Sequence, residues 1–176
     1  MAAGVLLGQP VLCSAALGQT SPASGAGLPS SSRLSEVEVR LAFESHGGCV
    51  GRCIAYRVVI RGDGVVEYND LGGEPRDPPQ RRTIPVDEVV SLVNEFVRTR
   101  FVDAPAKYVG DSKYLREGDS LRLLGSGGAD GPEWDLTLRV GTLVKTVHLY
   151  MGFPAQFGRL RDLVERIGGP KAWATK

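Results

Sequence analysis

Charge is missing from the first part of this chain: from Met1 to Ser32 there is no Asp, Glu, Lys, Arg or His, and Arg33 is the first charged residue. Histidine is scarce throughout, with only His46 and His148. That leaves few ways to build a histidine-based enzyme, and no Ser-His-Asp order stands out. No stretch approaches the ~18 consecutive apolar residues of a membrane-spanning helix. Neither sign of charge is in excess: 21 Lys and Arg against 20 Asp and Glu give a formal net charge of +1. No global field therefore draws the chain to nucleic acid or to an anionic membrane. The "GSGGADG" run (125–131) has no following Lys-Ser/Thr and no strand–helix context, which excludes a phosphate loop.

What is present is ordinary for a soluble globular protein: 42% hydrophobic and 23% charged residues, at a length that buries an adequate core in one domain. The uncharged opening, "MAAGVLLGQPVLCSAALGQTSPASGAGLPSSS", runs from an apolar stretch through small residues into a Ser/Gly/Pro/Ala spacer. That is the order of a secretory signal, with "SAALG" before Gln19 as the cleavage region. It departs from the type in lacking a positive n-region and in the Gln9-Pro10 interruption; the competing reading is an uncharged tail on a cytoplasmic protein. Cys13 follows Leu12 and so lacks the small residue that precedes a lipid-attachment cysteine. We expect residues 1–33 to be leader and spacer, 34–176 to be one domain, and the protein to be exported to a periplasm or the cell exterior.

Beyond Arg33 the pattern becomes periodic. In 34–43, Val37, Val39, Leu41 and Phe43 alternate with Glu36, Glu38 and Arg40, which predicts a half-buried strand. Residues 54–61 place Tyr56, Val58 and Ile60 on one face, "GDG" (62–64) turns the chain, and 65–70 returns. Residues 71–83 read as a Pro-rich loop whose Arg76, Arg81 and Arg82 are solvated. Then Val86, Val89, Val90, Val93, Phe96 and Val97 form a helical stripe behind Pro85, with Asp87 and Glu88 in its first turn. Residues 103–133 carry little pattern apart from a short strand at 120–124. Trp134, Leu136, Leu138 and Val140 alternate with Asp135, Thr137 and Arg139; "GT" turns into 143–150; and Phe157, Leu160, Leu163, Val164 and Ile167 mark a last helix stopped by Gly168-Gly169. The expected fold is α+β: an antiparallel sheet of about five strands with two helices on one face, and a strand–strand–helix pseudo-repeat over 54–97 and 134–167. The other face, with Arg57, Asp135, Thr137, Arg139, Thr146 and His148, is expected to be open to solvent.

Candidate chemistry centres on "HGGCVGRC" (46–53). In an extended strand, residues four apart are ~13 Å apart, beyond the ~7 Å limit for a disulfide, so Cys49 and Cys53 can pair only across a turn, for which Gly51 supplies freedom. Removal of the leader takes Cys13 with it and leaves two cysteines, the even number of an exported protein. A second reading adds His46 to the two thiolates as a zinc or cuprous copper site, with His148 as a further ligand. A redox couple comes third, because a strand rather than a helix follows the pair. Asp111, Asp119 and Asp130 could offer oxygens to calcium but lack the alternation of a calcium loop. His148 reads as a solvated surface residue, and Tyr150, Phe153 and Trp173 as core or helix-docking aromatics.

Taken together, Cys49, Gly51, Cys53, Tyr56, Gly64, Val66, Tyr68, Asp130, Pro132, Lys145, Val147, Gly152, Pro154 and Trp173 resemble the pattern of an uncharacterised bacterial domain family. That pattern runs Cys-x-Gly-x-Cys-Pro-x-Tyr, a Gly-x-Val-x-Tyr hairpin, Asp-x-Pro, Lys-x-Val, Gly-x-Pro and a late Trp. It departs at Ile54, where the pattern has proline, and in a longer 109–128. The resemblance covers residues 36–173 and implies a small domain, often exported or membrane-anchored, without an established activity; it also favours the Cys49–Cys53 disulfide. We expect an exported, non-enzymatic domain that binds a protein, peptide or envelope ligand, with no cofactor and no nucleic acid. The alternatives are a copper or zinc protein using His46, Cys49 and Cys53, and an enzyme acting from the 103–133 loop.

Overall fold

The structure is a computed structural model and describes residues 28–45, 53–72, 78–108, 113–124, 131–150 and 153–173. Nine strands and two α-helices occur among these residues: β1 (Val37–Ser45), β2 (Ala55–Arg61), β3 (Val65–Asp70), β4 (Gln80–Thr83), α1 (Val86–Arg98), β5 (Lys107–Tyr108), β6 (Lys113–Glu117), β7 (Ser120–Leu124), β8 (Pro132–Val140), β9 (Leu143–Leu149) and α2 (Ala155–Gly168). The fold is α+β with a mostly antiparallel sheet, as the alternation of its strands requires. Among the described residues no helix is long and apolar enough to cross a membrane.

The sheet has seven strands rather than about five, in the order β4-β3-β2-β1-β8-β9-β5. It is mixed, because β5 runs parallel to β9, with Lys107 opposite His148 and Tyr108 opposite Leu149. The additional strands are the two edges. Sequence alternation fails there for a physical reason: "QRRT" and "KY" carry too few apolar residues to register burial. The 120–124 segment is strand β7, paired with β6 in a separate hairpin that turns at Gly118.

Strand β1 lies at the centre, flanked by β2 and β8. Its Val39 and Leu41 are buried, as are Tyr56, Val58 and Ile60 of β2, Leu136, Leu138 and Val140 of β8, and Val147 and Leu149 of β9. All lie on the face that both helices cover, and the two helices share one core with them. Gly64 makes the β2–β3 turn possible, with φ at 88°, and the Asp63 carboxylate accepts the Val65 N–H at 3.1 Å.

The hairpin-then-helix order recurs along the chain but not as a rotated copy in space. Strands β2 and β8 are both antiparallel to β1, so they run in the same direction on its two sides, with β3 and β9 next outward. Both hairpins turn their apolar residues to the same face. They are therefore placed as mirror images, which no rotation superposes while keeping that face inward.

Helix α1 also departs from its sequence stripe. Val89, Leu92 and Phe96 are its buried residues, while Val90 and Val97 are 44% and 43% exposed. Valine all round the helix blurred the period, and α2 packs on the Leu92 side. The α2 stripe holds, with Phe157, Leu160, Val164 and Ile167 buried and Leu163 partly so. The helix stops at Gly168-Gly169 as expected, with Gly169 as its C-cap, and Gly168 is also needed for contact: a Cβ there would lie 2.4 Å from Val58 Cγ1 and 3.0 Å from Val66 Cγ1. Helix α2 thus crosses the sheet, with Phe157 beside Phe101 and Tyr108 and Gly168 on Val58.

Candidate functional site

The residues singled out from the sequence do not gather into one described site. Cys53 stands exposed just before β2, and His46 and Cys49 lie outside the described residues. Asp111 and Asp130 also lie outside them, and Asp119 sits in the exposed β6–β7 turn. The 103–133 loop holds β5, β6, β7 and the start of β8. His148 is on the open face, as expected, but it is held between carboxylates rather than simply solvated. Its Nδ1 lies 2.8 Å from Asp135 and its Nε2 3.5 Å from Glu133. Among the described residues no three His, Cys, Asp or Glu side chains form a group able to hold a metal.

The sheet end where β1 finishes and β2 and β8 begin is aromatic. Phe43 lies 5.0 Å from Tyr56 and 5.3 Å from Trp134, Tyr56 meets Tyr68 at 5.9 Å, and Tyr68 stacks on Trp173 at 6.1 Å. Glu165 of α2 joins two of them, accepting the Tyr56 hydroxyl at 2.6 Å and the Trp134 indole N–H at 3.3 Å. Burial, and then the hydrogen bond to Glu165, push the Tyr56 phenol above its ordinary range, so it remains a donor. Arg161 lies over Trp134 at 4.6 Å and over Phe153 at 5.6 Å. Each polar tip here is already engaged, so this end fastens α2 to the sheet.

The opposite flank of α2 is built differently. Between it and α1 runs a trough with a wide part of about 800 Å³, lined by Glu95, Arg98, Thr99, Arg100, Gln156, Arg159, Leu160, Asp162, Leu163 and Arg166. A second part of about 420 Å³ continues it past Leu92 and Ile167 to Ile84 and Arg82, sharing Glu95, Leu163 and Arg166 with the first. Helical spacing explains the wall. Arg159, Leu163 and Arg166 recur at four and three residues, so they share one face of α2 beside the buried stripe.

Arg98 is paired with Glu95 at 2.9 Å and Arg100 with Asp103 at 3.0 Å. Arg159 and Arg166 have no ion pair or hydrogen bond among the described residues. Arg82, expected as a solvated loop residue, is half-buried on β4 instead; it donates to the Ile167 carbonyl and lies 5.3 Å from the Trp173 ring centre. Its Nε is buried without a partner among the described residues.

Sequence reasoning missed this trough because its two walls are about sixty positions apart. A signal was present in the recurrence of Arg159 and Arg166 beside the α2 stripe, which charge balance over the whole chain averages away.

The chain belongs to the family described as a domain of unknown function, DUF6438, whose model matches residues 42–168. No curated protein matches the chain.

Proposed function

For this member of the family we propose an exported binding module, not a catalyst, that holds its ligand in the trough between α1 and α2. In this reading Cys49 and Cys53 are joined as a local clamp on the start of β2. The observation that carries it is the donor set of the trough. Four arginines line it beside Leu160 and Leu163, and a guanidinium remains charged at any physiological pH. Such groups recognise and orient a partner through fixed N–H donors rather than passing protons. The clamp is supported by the even cysteine count that leader removal leaves and by Gly47, Gly48 and Gly51, which allow the chain of 46–53 to turn. Export is supported by the leader-like order of residues 1–33.

Amide-resolved NMR titration with a set of small fragments tests the assignment. Signals of residues 92–100 and 156–167 should move together and saturate, while those of the open sheet face stay still. Fragments that gather on the sheet face instead would relocate the site. Stoichiometric copper or zinc in protein purified without an affinity tag would replace binding by thiolate–metal chemistry.

A further inference from the structure

We propose that the occupant of the trough is an acidic linear segment of a partner protein, an inference that rests on the trough being the binding site. Charge sets the sign. The wide part is lined by four arginines against Glu95 and Asp162; Arg98 and Arg100 are answered by Glu95 and Asp103, which leaves the positive charge of the trough with Arg159 and Arg166. The placement of partners sharpens this. On the open sheet face Arg40, Arg61, Arg81 and Arg139 each meet a glutamate within 3.6 Å, and of the arginines named there Arg57 is the exception among the described residues. In the trough Arg159 and Arg166 meet none among the described residues. Two unpaired guanidiniums over an apolar floor attract side chains that are acidic at the rim and apolar at the centre.

Shape selects a chain over a compact molecule. The wall from Glu88 to Thr99 rises about 1.5 Å per residue, which makes the trough about 16 Å long. An extended peptide covers that length with about five residues at about 3.3 Å each. Backbone conformation adds a further mark. Arg100 is the non-glycine residue with positive φ among those described, at 54°, just past the end of α1 where glycine is the usual choice. Arg100 in that strained position is the fourth arginine lining the trough, its guanidinium paired with Asp103.

The test is to pan a displayed library of random nine-residue peptides on the purified chain, with Arg159→Ala/Arg166→Ala for comparison and urea unfolding to verify its fold. Recovered peptides should be rich in Asp and Glu with apolar residues between them, and should bind the double variant at least tenfold more weakly. Their affinity should also fall as salt rises. The charge-reversed pair Arg159→Glu/Arg166→Glu should select Lys- and Arg-rich peptides instead. Peptides that depend on the two arginines without being acidic would overturn this inference and leave the trough as a binding site. Peptides indifferent to both variants, or no enrichment at all, would overturn the binding site as well. Concentration-dependent dimerisation abolished by Leu163→Asp, with no peptide retained, would assign the trough to a second copy of the chain and reject the acidic segment.

Discussion

The Tyr56 hydroxyl donates to Glu165 at 2.6 Å and ties β2 to α2 across 109 positions of sequence. The phenol is buried and its acidity suppressed, first by burial and then by that carboxylate. Below about pH 10 the folded and unfolded chains both keep this proton, so the contribution is whole. Above that, the unfolded chain releases a proton that the folded chain retains. Stability then falls by up to about 1.4 kcal/mol per pH unit from this group. Tyr56→Phe should cost about 1–2 kcal/mol at neutral pH and make the alkaline fall shallower. Urea unfolding of both proteins at pH 8, 10 and 11 reads both effects; equal alkaline slopes would refute the link.

Gly168 is set by contact as well as by helix termination. Since a Cβ would lie 2.4 Å from Val58 Cγ1, Gly168→Ala should destabilise the fold by about 1–3 kcal/mol. Val58→Ala opens a space in the same place, so the double variant should be more stable than the sum of the single costs implies. Thermal or urea unfolding of the four proteins closes the cycle. Additive costs would show that the two positions do not meet.

What could be read from the sequence follows from what burial leaves behind. Strands β1, β2 and β8 were legible because one face of each is apolar and the other charged, so Val39, Val58 and Leu138 declared their side. Strand β4 was hidden because an edge strand is held by backbone bonds to one neighbour and needs no apolar alternation. The parallel β5 was hidden for the same reason, with only two residues. The α1 stripe was placed off its true face because Val90 and Val97 are as apolar as Val89 and only the position of α2 distinguishes them. The trough left only the spacing of Arg159 and Arg166 as a trace, since it exists only once two helices lie side by side.

A Cys49–Cys53 bond closes a very short loop, so it restricts the unfolded chain little. Changing both to serine should lower stability by at most about 2 kcal/mol and leave the fold intact. Alkylation followed by mass measurement on protein from an oxidising compartment should find neither thiol free. Two freely modified thiols in metal-free protein would reject the clamp. Global unfolding of the double variant would point to a bound structural metal in its place.

Arg100 separates stability from recognition. Its backbone sits at φ 54° and ψ 39°, a left-handed conformation that disfavours any residue with a Cβ. The Arg100–Asp103 pair at 3.0 Å is highly exposed at both ends and offsets little of that strain. Arg100→Gly relieves the strain, although the glycine also frees the unfolded chain, so a gain of up to about 1 kcal/mol is expected. The same change removes one of the trough's four guanidiniums and should weaken an acidic peptide several-fold. Arg100→Ala distinguishes the two causes: it keeps the strain, loses the charge, and should weaken the peptide without any gain in stability. Urea unfolding beside peptide titration of the three proteins reads both quantities. A glycine variant that is more stable and binds as tightly as the parent would show that the residue holds its strained position for a reason other than the ligand.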